Sequence, residues 1–282
     1  MFIFLFIVFL IVILILFYIS FRLYNFALNP KSSKEGIFNS KDNNEPRFQD
    51  TWIYDYKDKE DVFINSFDNL KLHGYILKTE NSDKWAITVH GYTNKAESMS
   101  AMAYKYHSLG YNILMPDLRG HGKSEGSYVG MGWHDRLDIL KWIDLIIKEN
   151  KDAKILLHGI SMGAGTVMMV SGEELPENVK VIIEDCGYTS AKEQLAYNLK
   201  TMFKLPSFPI LNFCSLITKI KDNYFISEAS AIKQLQKAKV PILFIHGDKD
   251  KLIIKDVGHA KSESLKSDLY WNKVEEFIKP YM

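Results

Sequence analysis

The sequence predicts an α/β domain, in which a mostly parallel β-sheet carries helices on both faces. The first observation behind this prediction is that short apolar runs alternate with amphipathic stretches over residues 85–245. Strands that alternate with helices form parallel sheets. The second is a Gly-x-Ser-x-Gly segment at residues 159–163, placed between an apolar run and a stretch of small apolar residues. The third is size, because 282 residues with 47% hydrophobic composition suffice for one such domain with additional segments.

The predicted elements follow one another in a regular order. Two strands at 62–65 and 70–77, joined by a turn at 67–69, form a predicted hairpin. Strands are then predicted at 85–89, 111–115, 155–157, 179–183 and 240–245, with helices at 96–109, at 133–148 and after residue 161. The chemistry of parallel sheets lies at the carboxyl ends of their strands. The candidate functional residues are therefore those that follow strands: Tyr92, Asp117, Ser161, Asp185 and Asp250.

Ser161 is the leading candidate for a catalytic nucleophile. It follows a strand and precedes a helix, a context in which a sharp turn holds a serine out from the backbone. Gly159 and Gly163 are expected where the strand and helix backbones approach too closely for side chains. The helix that begins beside Ser161 offers N–H groups and positive potential to a developing oxyanion. The alternative interpretation of this pattern is a glycine-rich turn with an incidental serine.

The stretch at about 189–238 departs from the strand–helix alternation. It is rich in apolar and aromatic residues and is interrupted by Pro206 and Pro209. Its length of about 50 residues exceeds that of an ordinary connection. We therefore predict a helical cap over the active site, inserted in the α/β domain. The alternative is one crossover helix with a long loop.

The N-terminus predicts a membrane anchor. No charged residue occurs before Arg22, and about 21 helical residues span roughly 30 Å, the thickness of the hydrocarbon core. A cleaved signal peptide would have a basic start, a shorter apolar core and a small-residue cleavage site, and a buried helix at a chain end has little to pack against. We predict an uncleaved transmembrane anchor at 1–24, a polar tether at 25–54 and the α/β domain at 55–282.

Charge and cysteine content exclude several other functions. The net charge of +1 comes without a basic stripe, so nucleic acid is not an expected partner. The two cysteines form no metal-binding or redox motif, and we expect no metal and no cofactor.

The charges beside the predicted anchor indicate the side of the membrane. Arg22, Lys31 and Lys34 follow the apolar run, and by the positive-inside rule they place the C-terminal domain in the cytoplasm.

Five separated segments together resemble one family. These segments are residues 90–93, 117–124, 159–163, 246–250 and 258–259. They resemble motifs of the α/β-hydrolase superfamily, and the chain is most similar to bacterial membrane-anchored serine hydrolases of the serine aminopeptidase-like and BEM46-like groups. The resemblance covers about residues 55–282. It implies an α/β-hydrolase fold and a catalytic domain on the outer side of the cell membrane, the opposite of what the charge count indicates.

The resemblance also implies the role of each matched residue. Ser161 would be the nucleophile, His259 the general base and then the acid for the leaving group, and Asp250 the residue that orients His259. Backbone N–H groups of Tyr92 and Met162 would form the oxyanion hole. The order Ser, Asp, His along the chain is the one that this fold uses. Asp117 would shape its loop rather than take part in catalysis.

The other histidines are expected to have structural or surface positions. By resemblance, His90, His121 and His246 are structural. The side chain of His158 should point away from that of the following turn, because neighbouring strand residues alternate between faces. The remaining three are predicted at the surface: His73, His107 and His134.

The segment after Asp250 is shorter than the family pattern implies. Residues 252–256 look like the last strand, yet only residues 248–251 separate them from Gly247. A parallel neighbour needs a crossover of a dozen or more residues. The strand is therefore antiparallel, or leaves the sheet, or the segment carries a deletion that shortens the fold near the C-terminus. Asp185, at the end of the preceding strand, is the alternative acid.

The predicted function is that of a serine hydrolase of carboxylesterase or peptidase type. It would cleave an ester or amide bond of an apolar acyl or aminoacyl small-molecule substrate through an acyl-enzyme intermediate. The alternative is a non-catalytic or impaired membrane-anchored domain, in which the deletion after Asp250 has removed a working triad.

Overall fold

The computed structural model describes residues 1–32, 45–247, 259 and 261–282. Over these residues, seven strands form one sheet in the order β1-β2-β4-β3-β5-β6-β7. The strands are β1 (Glu60–Asn65), β2 (Lys71–Leu77), β3 (Lys84–Val89), β4 (Asn112–Pro116), β5 (Lys154–Ile160), β6 (Val179–Asp185) and β7 (Ile242–Ile245). The pairs β1–β2 and β2–β4 are antiparallel. The pairs β4–β3, β3–β5, β5–β6 and β6–β7 are parallel. The predicted hairpin and the mostly parallel sheet are confirmed.

Helices cover both faces of the sheet, as predicted. They are α1 (Phe2–Leu28), α2 (Phe48–Asp55), α3 (Ser100–Ser108), α4 (Asp135–Glu149), α5 (Met162–Val170), α6 (Ala191–Phe203), α7 (Ile210–Asp222), α8 (Ala231–Leu235), α9 (Ser262–Leu265) and α10 (Ser267–Ile278). Trp142 of α4 and Val167 of α5 belong to the core on one face. Tyr106 of α3 and Trp271 of α10 belong to the core on the other. The central strands are buried on both faces, which explains their nearly continuous apolar sequences.

Three helices, α6, α7 and α8, occupy the stretch predicted as a cap. The alternative of a single crossover helix is therefore wrong. Ser190 begins α6 by accepting a hydrogen bond from the N–H of Glu193, and Ser230 begins α8 in the same way with Lys233. The α7 helix is amphipathic, and its buried side includes Cys214 and Ile217. An apolar layer therefore lies beneath the cap.

The α1 helix continues beyond the predicted anchor and packs against the domain. Residues 25–28, assigned to the tether from sequence, are its last turn, and residues 48–55, also in the predicted tether, form α2. Along α1 the buried residues are Ser20, Tyr24 and Leu28. These three recur every four positions and so lie on one side of the helix. By length and composition the helix could cross a membrane, and no residue of its most apolar 18-residue stretch is buried.

The predicted last strand at 252–256, its short connection and Asp250 lie outside the described residues.

Candidate active site

Ser161 lies at the junction of β5 and α5 with a strained backbone. Its φ is +56° and its ψ is −112°, in a region that residues other than glycine rarely occupy. The N–H of Ser161 donates to the carbonyl of Asp185 at 2.8 Å, and its own carbonyl accepts from Gly165 at 3.0 Å. These bonds hold the turn against both the neighbouring strand and the helix. Strain maintained in this way is typical of functional sites.

Gly159 and Gly163 are required by the close approach of the backbone at this turn. A Cβ atom on Gly159 would lie 2.2 Å from the carbonyl oxygen of Gly163. A Cβ atom on Gly163 would lie 2.0 Å from the carbonyl oxygen of Val89 on β3. The sequence-based reason for these two glycines is confirmed.

The side chains of Ser161 and His259 are in hydrogen-bond contact. Ser161 Oγ and His259 Nε2 are 3.0 Å apart, although the residues are 98 positions apart in the chain. This distance lies within the range for a nucleophile and its general base. Ser161 is half-buried and His259 is exposed, so a small molecule in solution can reach both side chains.

Two backbone segments flank Ser161 where an oxyanion would form. Met162 is the first residue of α5, and the first N–H groups of a helix have no partner within that helix. On the other side lies Gly91, where a Cβ atom would be 3.4 Å from Ser161 Cβ. The next residue in the chain, Tyr92, therefore lies close to the serine. The imidazole of His90 shapes this second segment, because its Nε2 accepts from the N–H of Leu118 at 3.0 Å.

Of the two candidate acids, only Asp185 is among the described residues. It ends β6 beside the turn and is 1% exposed. Burial raises the pKa of its carboxyl to about 7, and this rise prevails over the opposing effect of a hydrogen bond with Tyr270. A carboxyl with this pKa is partly protonated at neutral pH and is a poor permanent partner for an imidazolium.

The chain is similar in sequence to several known proteins. The family described as serine aminopeptidase S33 matches residues 80–209. The chain is 29% identical over 227 residues to YqkD, an uncharacterised protein of Bacillus subtilis, covering 80% of this chain and 73% of that protein. It is 23% identical to protein bem46 of Schizosaccharomyces pombe over 201 residues, covering 69% of this chain and 61% of that protein.

The fold also matches solved structures. The structure of the Pyrococcus furiosus esterase Pf2001 superimposes with a TM-score of 0.60 at 24% identity, covering 79% of this chain and 91% of that one. The chain has the α/β-hydrolase fold. In sequence it is similar to the serine aminopeptidase family and to protein bem46, as its motifs predicted.

Within this fold, Asp117 shapes the loops beside the site. One of its carboxylate oxygens accepts from the N–H of Ala96 at 2.7 Å, and the other from the N–H of Lys123 at 2.9 Å. A Cβ atom on Gly122 would lie 2.1 Å from Asp117 Oδ1, so the turn is closed around the carboxylate. These bonds keep the pKa of Asp117 below its usual value despite burial.

The surface position predicted for His73 and His134 is wrong. His73 is fully buried on β2, where its two ring nitrogens lie 2.7 Å from carboxylate oxygens of Asp117 and Asp61. His134 is 9% exposed, and burial lowers its pKa to about 4. The sequence around a histidine does not show that it is buried when the side chains that bond to it come from distant segments. His107 is half-buried and contacts Tyr56.

His158 points away from Ser161, as predicted. It is fully buried on the other face of the sheet, with Nδ1 3.0 Å from the hydroxyl of Tyr106 and Nε2 2.9 Å from that of Tyr270. Burial lowers its pKa to about 3. His158 therefore stays neutral and structural at physiological pH.

Sequence reasoning missed the contribution of α1 to this region. The hydroxyl of Tyr92 donates to the carbonyl of Ala27 in the last turn of α1, and the N–H of Val129 donates to Leu28 at 2.7 Å. The last turn of α1 is thus bonded to a residue of the predicted oxyanion hole. A signal was available, since Ser20 and Tyr24 are polar residues four positions apart that follow the apolar part of the helix.

Proposed function

We propose that the protein is a membrane-anchored serine hydrolase that cleaves an ester or amide bond through an acyl-enzyme intermediate. The observation that carries this proposal is the 3.0 Å contact between Ser161 Oγ and His259 Nε2, at a strained turn followed by the N-terminus of α5. A nucleophile, a base and helix-terminal N–H groups within reach of one another are the requirements of acyl transfer.

The chemistry would proceed in two balanced steps. Ser161 Oγ attacks the carbonyl carbon while His259 Nε2 takes the hydroxyl proton, and the resulting oxyanion accepts bonds from the N–H groups of Tyr92 and Met162. The tetrahedral species collapses, and His259 gives its proton to the departing alcohol or amine. Water then loses a proton to His259 and attacks the acyl-enzyme. The second tetrahedral species collapses, His259 returns that proton to Ser161 Oγ, and the acid is released.

In this proposal Asp250 orients His259 and stabilises its protonated form. The match of residues 246–250 to the family motif supports the acid at this position. Asp185 is the weaker choice because burial raises its pKa to about 7, and a neutral carboxyl does not stabilise an imidazolium.

The acid assignment predicts a large asymmetry between two matched substitutions. Asp250→Asn should lower kcat on an activated ester by about 10⁴-fold, as loss of the orienting carboxylate does in serine hydrolases. Asp185→Asn, which replaces a carboxyl that is partly protonated at neutral pH by an amide, should lower kcat by less than about tenfold. Steady-state turnover of p-nitrophenyl butyrate decides between the residues. A large loss at position 185 alone would move the role to Asp185.

Fluorophosphonate labelling tests the nucleophile directly. Full-length protein should be labelled and should lose both labelling and ester hydrolysis in Ser161→Ala, with a fall in kcat of more than about 10⁴-fold. Ser98→Ala, which removes an exposed hydroxyl outside the site, is the matched control and should behave as wild type. If wild type is not labelled and hydrolyses no ester, the impaired-domain alternative is correct.

The apolar layer beneath the cap supports an apolar acyl or aminoacyl substrate. The long apolar stretch of α1 before Arg22 supports a single-pass position in the cell membrane, and we propose that the catalytic domain faces outward, as the resemblance implies. A membrane-impermeant fluorophosphonate applied to intact cells should then label Ser161. Labelling that appears only after lysis would place the domain in the cytoplasm, as the charge count indicates.

A further inference from the structure

The last turns of α1 and the first cap helix enclose an apolar cavity, which we call the α1–cap cavity. Its volume is about 80 Å³ within the walls and about 710 Å³ when the open mouth is counted. Leu23 and Ala27 of α1 line it together with Leu195 and Leu199 of α6. Sites for small organic molecules are concave and mostly apolar, and this cavity is both.

The polar groups at the wall of the α1–cap cavity bond to protein atoms. The hydroxyl of Tyr24 donates to the carboxylate of Asp222 at 2.8 Å, and the thiol of Cys214 donates to the carbonyl of Ser20 at 3.3 Å. The hydroxyl of Tyr92 bonds to Ala27 at 2.5 Å. Among the described residues that line the cavity none carries a charge, and besides these groups the only polar side chain is the amide of Asn198. Such a wall suits a hydrocarbon and not a sugar or a charged headgroup.

One end of the α1–cap cavity lies beside the proposed reacting centre. Tyr92, whose N–H is proposed to bind the oxyanion, also lines the cavity. Its neighbour Gly91 lies close to Ser161, since a Cβ atom on Gly91 would be 3.4 Å from Ser161 Cβ. Tyr92 therefore connects the proposed reacting centre with the wall of the cavity, which is the direction that an acyl chain bound at Ser161 would take.

The other end of the cavity lies close to the membrane. Residues 2–19 of α1 would span about 27 Å at a rise of 1.5 Å per residue, and Leu23 follows only about 6 Å further along the axis. Phe26 contacts Phe203 edge-to-face with ring centroids 5.4 Å apart. Phe203 is 39% exposed and Phe208, which precedes α7, is 74% exposed. Exposed apolar side chains beside a membrane helix are typical of a surface that enters the lipid interface.

We propose that the end of α1 forms one wall of the acyl-binding site, and that the substrate is an ester of one long acyl chain taken from the bilayer. The proposal rests on the serine hydrolase function proposed above. The anchor would then have two roles, since it holds the enzyme at the membrane and completes the site that receives a membrane lipid. The small volume within the walls, about 80 Å³, suits one chain rather than two.

Chain-length selectivity tests the wall. In full-length protein reconstituted in phospholipid vesicles, wild type should hydrolyse p-nitrophenyl laurate with a higher kcat/KM than the acetate. Leu23→Trp puts a larger ring into the cavity and should lower the laurate-to-acetate ratio by about tenfold or more. Leu14→Trp makes the same change at a position that is 67% exposed and should leave the ratio unchanged. Equal ratios in all three proteins would overturn the proposal.

A binding measurement tests the same site without turnover. Ser161→Ala protein in vesicles is irradiated with a non-hydrolysable alkyl glycerol ether that carries a diazirine at the end of its chain. Cross-linked peptides should include residues 23–28 of α1 and residues 195–203 of α6. Cross-links confined to other segments would overturn the proposal even if Leu23→Trp fails to fold.

The two proposals fail in different ways. If no ester is hydrolysed by wild type but the ether cross-links to α1, the hydrolase proposal is wrong and lipid binding at the cavity remains. If short esters are hydrolysed well, laurate is not preferred and α1 is not cross-linked, the hydrolase proposal stands and the lipid proposal is wrong. Preferential cleavage of an aminoacyl amide over laurate would also overturn the lipid proposal.

Discussion

The two parts of α1 belong to one continuous helix but have different surroundings. In residues 2–19 the side chains are exposed, with Leu14 at 67%, and only Ile13, Leu16 and Ile19 are half-buried. In residues 20–28 three side chains are almost fully buried: Ser20 at 0%, Tyr24 at 3% and Leu28 at 1% exposure. One continuous helix thus passes from an outer part that contacts little protein to a docked part that belongs to the domain.

The difference shows that polar groups, rather than hydropathy, decide where the helix docks. Ser20 Oγ donates to the carbonyl of Ile210 at 3.2 Å, and the hydroxyl of Tyr24 donates to Asp222 at the end of α7. Each bond has one geometry, whereas apolar contact is non-directional. The outer part has no comparable buried bond and exposes a long apolar surface, which is unfavourable in water. Placement in a lipid bilayer, as proposed above, would remove this cost.

The largest expected effect comes from deleting the outer part of α1 alone or both of its parts. Removing residues 1–19 should release a folded, soluble protein, because this part makes few contacts with the domain. Removing residues 1–28 should also uncover α7 and the α1–cap cavity. Loss of the buried Tyr24 and Leu28 side chains alone should lower the free energy of unfolding by about 3–6 kcal/mol. Urea denaturation followed by circular dichroism measures the difference.

The same deletions test the anchor. Full-length protein should stay in the membrane pellet after carbonate washing, and protein lacking residues 1–19 should appear in the supernatant. Equal stability of the two truncated proteins would show that the docked part contributes nothing to the fold. Release of the intact full-length protein by carbonate would contradict membrane anchoring.

A smaller effect is expected from matched tyrosine substitutions. Tyr24→Phe removes a hydroxyl that donates to both carboxylate oxygens of the buried Asp222 at 2.8 Å. It should lower the free energy of unfolding by about 2 kcal/mol, as for hydrogen bonds to charged groups. Tyr18→Phe removes a hydroxyl that accepts from Arg22 at an exposed position and should change stability by less than about 0.5 kcal/mol. Equal effects would refute the distinction between the two parts.

The effect of Tyr24→Phe should depend on pH. Burial raises the pKa of Asp222 to about 6, and the hydrogen bond from Tyr24 opposes that rise. Since the native state binds a proton more tightly than the unfolded state, this group lowers stability as pH rises from about 4 to about 6. Without the Tyr24 hydroxyl the pKa rises further and the loss continues above pH 6. The difference between wild type and Tyr24→Phe should therefore be smallest below pH 4 and largest above pH 7.

Much of the fold could be predicted because its signals are local. The alternation of apolar runs and amphipathic stretches indicated the parallel sheet, and the glycines at 159 and 163 indicated the turn that holds Ser161. Both patterns follow from backbone geometry over a few residues. The burial of His73 was missed because its partners, Asp61 and Asp117, come from other segments. No local pattern shows that two carboxylates surround one imidazole.

The sequence by itself determined the α/β class, the hairpin, the strained position of the serine and the apolar length of α1, because each depends on residue type and spacing alone. Only the tertiary structure decided that His259 lies 3.0 Å from Ser161 across 98 positions, and that α1 divides at Ser20 into an exposed and a docked part. Both depend on which side chains meet across the fold. Such meetings are set by packing and directional hydrogen bonds between distant segments, and neither is encoded in the period of any single stretch of chain.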